Sequence, residues 1–135
     1  MNQSDLIALA TDSYRLFDEG DVAGVDRLYA PTLVDHNPVP GTATPRAGMR
    51  TLIGWITDGF TDAHHEILFQ GVIGTDTVVI QWRMTGRHTG PFLGVDATGR
   101  EIAFMGTDII RIEDGQIVEL RHVEDLFGAY AQVTG

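Results

Sequence analysis

The chain has 135 residues, no cysteine, 43% hydrophobic residues and a formal net charge of −10. That length suits one domain over 1–135, burying roughly two-thirds of its unfolded surface, and the apolar content excludes a disordered acidic chain. Nineteen acidic against nine basic residues exclude a cationic footprint for nucleic acid or anionic membrane, and the missing cysteine excludes disulfides, thiolate nucleophiles and Cys-based zinc sites.

The opening MNQSDLIALA lacks the basic and apolar regions of a signal peptide. No apolar run approaches a membrane span, so a cytoplasmic location is expected. Leu6, Ile7, Leu9, Ala10, Ser13, Tyr14 and Phe17 recur at a spacing of three to four and predict a helix near 4–18. Ser4 is placed to cap it and Gly20 to end it. Asp21 starts a second predicted helix, near 22–30, which Pro31 stops. Leu33 to His36 reads as a short extended piece leading into a proline-rich loop. Thr44-Pro45 is a cap and first-turn proline for a third helix near 45–60, with Met49, Leu52, Ile53, Ile56 and Phe60 as its stripe.

The period then changes from 3.6 to 2. Strands are predicted near 63–73, 77–88, 100–112 and 116–123, separated by Gly/Asp-containing turns. Helices followed by an antiparallel meander give an α+β order without βαβ alternation. Long twisted strands curl, and three helices over one face could close a cone around a pocket. Gly90 to Arg100 reads as a mobile loop at its mouth. One sheet face stays uncovered, so a homodimer or dimer of dimers is expected.

Asp108 shares one strand face with Ile102, Phe104, Gly106, Ile110 and Ile112, where a carboxylate is costly to bury without a partner. A three-residue turn at Glu113-Asp114-Gly115 would set Leu120 opposite Asp108 and His122 diagonal to it on the same face. Asp108 and His122 could then form an acid/base pair or a structural hydrogen bond; both readings stand at this point. His36 and Asn37, beside Asp35, stand where the extended piece meets a loop, and could reach a pocket or merely cap turns. Arg83 is a candidate donor to a developing oxyanion and His88 a rim residue. Trp55, Phe60, Phe92 and Phe104 are candidates for an apolar wall or lid. His64 and His65 point to opposite faces, so at most one could face a pocket. His36, His88, Asp108 and His122 are the first metal ligands to consider, yet no HxH or HxxxH spacing supports them. No bound metal, nucleotide, flavin or haem is expected, and the partner expected is a small apolar or polycyclic substrate.

Tyr29-Ala-Pro-Thr-Leu-Val-Asp-His-Asn-Pro38, Gly86-Arg-His-Thr-Gly-Pro-Phe-Leu-Gly94, Thr98-Gly-Arg100 and Gly106-Thr-Asp-Ile-Ile-Arg-Ile-Glu-Asp-Gly-Gln-Ile-Val-Glu119 resemble the SnoaL-like polyketide cyclases, over roughly residues 5 to 130. The resemblance implies the nuclear-transport-factor-2-like cone fold. For the aromatic polyketide cyclases it implies a cofactor-free intramolecular aldol condensation. Their acid/base carboxylate lies on the last strand and a histidine on the strand before. His122 and Asp108 occupy those places here, so the pair is reversed. The expected mechanism has His122, oriented by Asp108, taking a proton from an activated carbon, with Arg83 or His36 steadying the enolate oxygen. Hydroxylation, epoxide hydrolysis, isomerisation and non-catalytic ligand binding are the other chemistries this cone houses.

Overall fold

A computed structural model describes residues 1–135. In chain order it forms α1 (Gln3–Glu19), a 3-10 turn (Val22–Gly24), α2 (Val25–Leu28), β1 (Tyr29–Asp35), α3 (Pro45–Gly59), β2 (Phe60–Ile73), β3 (Thr77–His88), β4 (Glu101–Glu113), β5 (Gln116–Glu124) and α4 (Leu126–Thr134). The expected α+β order is present, with a fourth helix added at the C-terminus.

Local chemistry sets most boundaries. Asn2, two residues ahead of the expected Ser4, caps α1: its side chain accepts from the Asp5 amide while the Asp5 carboxylate accepts from the Asn2 amide. Gly20 ends α1 in the left-handed conformation. The expected helix over 22–30 is cut short because Tyr29 turns extended and enters the sheet. Thr44 caps α3, with Pro45 in the first turn. Nine residues of α4 bury only Ala129 and Val133, too few to give the periodic stripe from which the other helices were read.

The sheet runs β1-β5-β4-β3-β2. β2 through β5 form the antiparallel meander, and β1 adds to β5 in parallel. Two register shifts in β2 bend that strand, as bulges do. Val78, Ile80, Trp82 and Met84 of β3 and Ile102, Phe104, Gly106, Asp108, Ile110 and Ile112 of β4 face inward and are buried. α1 and α3 pack over this concave face. Met105, Ile109 and Val123 stay exposed on the other, the apolar surface on which the expected self-association would rest. No helix is long and apolar enough to cross a membrane.

One glycine is fixed by its neighbour across the ladder. Gly106 pairs with Trp82, and a Cβ there would lie 2.2 Å from the indole Cζ2. Gly106→Ala is therefore expected to push the indole aside and cost about 1–3 kcal/mol of stability. Thermal unfolding and tryptophan fluorescence would register both changes. An unshifted spectrum with unchanged stability would contradict this packing.

Candidate active site

A largely apolar cavity opens between the helices and the concave sheet face, spanning about 800 Å³ when its open mouth is counted. Trp55 and Leu52 of α3, Phe92 of the β3–β4 loop, Phe104 of β4 and Leu126 of α4 contribute apolar wall. Trp55 is 44% exposed, which puts it at the opening. Its polar wall consists of Ser13, Tyr14, Tyr29, His65, Asp108, His122 and Glu124.

Asp108 is buried, as its place in an apolar row requires, and it has partners. The Tyr14 hydroxyl donates to its Oδ2 at 2.5 Å and the Trp82 indole N–H donates to the same oxygen at 3.0 Å. Oδ1 has no partner and is not sealed from solvent, so it is the oxygen left for a ligand. Burial raises the carboxyl pKa to about 6. The Tyr14 bond opposes that rise, Glu124 adds to it, and His122 and Trp82 oppose it. Burial and the Asp108 charge push the Tyr14 phenol far above its ordinary range, so it stays a proton donor.

His122 lines the same cavity, directly opposite Asp108 across the β4–β5 ladder. The route to that register differs from the expected one. Asp114 and Gly115, both at positive φ, make a two-residue turn with Glu113 opposite Gln116. Such a turn alone would put His122 on the wrong face. A bulge at Val118, between the Ile112–Ile117 and Arg111–Glu119 pairs, restores the parity.

The imidazole of His122 does not bond to Asp108. Nε2 donates to Asp35 Oδ1 at 2.8 Å and Nδ1 to Glu124 Oε1 at 2.5 Å. Burial acts to lower the imidazole pKa, but the two carboxylates outweigh it and hold the pKa up to about 10. With both nitrogens donating at neutral pH, the ring is an imidazolium with no lone pair for a proton. The expected picture of His122 as a base oriented by Asp108 is thus replaced: Asp35 and Glu124 orient His122, and Tyr14 and Trp82 orient Asp108.

Of the expected wall residues, Trp55, Phe92 and Phe104 line the cavity. Phe60 instead packs behind it, edge-on to Phe92 at 4.7 Å. Arg83 sits at an odd β3 position and is exposed, so it cannot meet an oxyanion in the cavity. His36 is also exposed and bonds to Glu119 at 2.7 Å, because β1 ends at Asp35 and the next side chain turns outward. Arg111 first, with His36, holds the Glu119 carboxyl down to about 2. The Asn37 amide donates to the His122 carbonyl and braces β5. Fully buried His88 is a loop staple: its Nδ1 accepts from the Thr98 amide and contacts the Thr98 hydroxyl at 2.9 Å. Those contacts, with the Phe92–Val95 bridge, give the stretch expected as a mobile loop its own bonding. The four metal-ligand candidates do not converge, since His36 is committed to Glu119 and His88 to Thr98.

Periodicity does not single out Tyr14, Trp82 or Glu124 as polar partners at the cavity, whereas Asp35 and His65 are already in view beside His36 and His64. A buried Tyr hydroxyl and Trp N–H need acceptors, and Asp108 was the carboxylate on the inward face of the neighbouring strand; that was the available signal.

The family described as SnoaL-like polyketide cyclase matches residues 8–133. The chain belongs to that family. It is 29% identical over 133 residues to aklanonic acid methyl ester cyclase DnrD of Streptomyces peucetius, covering 97% of this chain and 90% of that one. A second relative of that name, DauD of Streptomyces sp. (strain C5), is 29% identical over 135 residues, covering 97% of this chain and 81% of its own length. Among solved structures, TsrD of Streptomyces laurentii superposes with a TM-score of 0.86 at 27% identity, covering 98% of this chain and 97% of that one. These neighbours share the curled nuclear-transport-factor-2-like sheet. In this chain Asp108 and His122 each have polar partners of their own.

Proposed function

We propose that this protein is a cyclase that closes a ring on a bulky polyketide-type carbonyl substrate by intramolecular aldol condensation. The observation that carries this reading is the single unpartnered oxygen of Asp108 at the wall of an apolar cavity, on a carboxyl whose pKa lies near 6. Near neutral pH such a group is largely ionised and can take a proton, yet it is basic enough to hold one briefly. It remains a weak base, so the carbon it deprotonates must be acidified by two flanking carbonyls.

Asp108 Oδ1 takes that proton. The resulting carbanion carbon bonds to a ketone carbon within the same molecule, the ketone π bond breaks, and the alkoxide formed takes up a proton. Atoms balance without an oxidant or reductant, and product and substrate are isomers. Tyr14 and Trp82 keep Oδ2 occupied, which directs Oδ1 at the substrate. His122 acts here as a positioning cation: it neutralises Asp35, holds Glu124 and disfavours protonation of Asp108.

Incubation with aklanonic acid methyl ester, the compound for which the relatives are named, tests the reading. The expected result is a product of unchanged mass with one ketone converted to a carbinol carbon by carbon NMR. A ligand that binds the cavity and is recovered unaltered would favour the carrier reading instead.

A further inference from the structure

Ring closure by aldol chemistry moves protons at two separated atoms of the substrate, a carbon that loses one and an oxygen that gains one. Asp108 offers one free oxygen, and the Tyr14 proton is committed to it. A second titratable atom faces the same cavity. His65 of β2 lines it, with a side chain only 5% exposed. Its Nδ1 lies 2.6 Å from Asp18 Oδ1, and the same carboxylate accepts from the His65 backbone amide at 3.1 and 3.2 Å. A carboxylate accepting from that amide is an acceptor for the ring as well, so Nδ1 carries the hydrogen. Nε2 is left without a protein partner, and it is not sealed from solvent.

We propose that His65, held by Asp18, is a second proton-transfer group of this cavity and serves the substrate oxygen; this rests on the cyclase reading above. The ring is wedged among aromatic side chains, edge-on to Trp82 at 4.8 Å and tilted against Tyr14 at 5.5 Å and Phe17 at 5.7 Å. An apolar residue would fill that slot without leaving a polar atom unmet, so the unpaired nitrogen is the feature that needs a ligand. His88 differs, because its free Nε2 is sealed away from any ligand. Trp82 joins the two centres: its N–H holds Asp108 and its ring edge packs on His65. Asp18 also meets His64, whose Nδ1 is 3.4 Å from Asp18 Oδ2.

In the imidazolium form, Nδ1–H stays with Asp18 and Nε2–H passes to the alkoxide as the carbon–carbon bond closes. Asp108 has then gained one proton and His65 has lost one. Exchange with water at the cavity mouth resets both. Asp18 is a positioning residue that fixes the tautomer and the orientation of the ring.

The experiment follows two rates in heavy water with an anthraquinone bearing a β-keto ester side chain and a neighbouring ketone. Deuterium uptake at the acidified carbon reports Asp108; ring closure reports both groups. His65→Gln is expected to slow closure by about 10²-fold while leaving uptake within a factor of a few. Asp108→Asn is expected to slow both by about 10²–10⁴-fold. Closure at the wild-type rate in His65→Gln, or equal loss of uptake and closure, would overturn the proposal. Wild-type protein that accelerates neither process would overturn the cyclase reading, and this proposal with it. If His65→Gln does not fold, nitrogen NMR of the wild-type ring decides. A neutral form protonated at Nδ1, with an Nε2 signal that moves on adding the probe and a tautomer lost in Asp18→Asn, is expected. A neutral ring protonated at Nε2 and unmoved by the probe would overturn it.

Discussion

Asp108→Asn should lose about 10²–10⁴-fold in turnover and yet unfold at a higher temperature than the wild-type protein above pH 6. Both effects have one cause. The folded carboxyl has its pKa raised from 3.8 to about 6, so the folded state holds its proton more tightly than the unfolded chain does. Stability tied to this group is full below the unfolded value and falls as pH rises through that window. At neutral pH the lost stability is about 3 kcal/mol, at 1.36 kcal/mol per pKa unit. An amide cannot ionise, and its carbonyl oxygen can still accept from Tyr14 and Trp82. The variant should therefore match wild type near pH 4 and exceed it near pH 8. Melting temperatures across that range, with turnover at each pH, check the pair of effects. A variant less stable than wild type at the alkaline end would show that Asp108 stabilises the fold and is not held there at its expense.

His122→Ala should act in the opposite sense. It leaves Asp35, whose side chain is 1% exposed and whose Oδ2 already lacks a partner, as a buried carboxylate with no counter-ion. Breaking a buried pair in this way costs about 3–5 kcal/mol. Replacing both partners with apolar residues, Asp35→Leu with His122→Leu, should recover most of that loss. The wild-type contribution also has a defined pH course. The imidazole pKa is raised from 6.5 to about 10, so its contribution is complete below 6.5 and disappears as pH climbs through the folded value. Denaturant unfolding of the single and double variants, and of wild type across the alkaline range, measures each part. A single variant as stable as the double would mean that Asp35 is not left unpaired.

The contrast between the two residues shows what one sequence can reveal. Alternation along β4 and β5 was enough to place Asp108 and His122 on one inward face, because a strand's side-chain period is two. The same alternation could not give their partners. Asp35 reaches His122 through the parallel pairing of β1 with β5, across 87 positions of sequence, and no local pattern encodes that. Tyr14 counted as one more apolar position in the α1 stripe, although its hydroxyl closes the site from 94 positions away. Turn length was misread as well, since Glu113-Asp114-Gly115 permits more than one hairpin, and only the bulge at Val118 kept the face correct. Residue type and alternation together point Phe60 and Arg83 to the cavity and His88 to its rim. Their true places follow from strand parity and from the β3–β4 loop folding back on His88.

On the proposed mechanism Asp108, and not His122, is the group whose proton comes and goes at the cavity wall near neutral pH. An NMR titration from about pH 4 to 9 on protein labelled at aspartate carboxyls and histidine nitrogens tests it without a substrate. The Asp108 carboxyl should inflect near 6 while both His122 nitrogens remain protonated throughout. An Asp108 carboxyl inflecting at the ordinary aspartate value, with a His122 nitrogen losing its proton near neutrality, would contradict the account and return the role of base to His122.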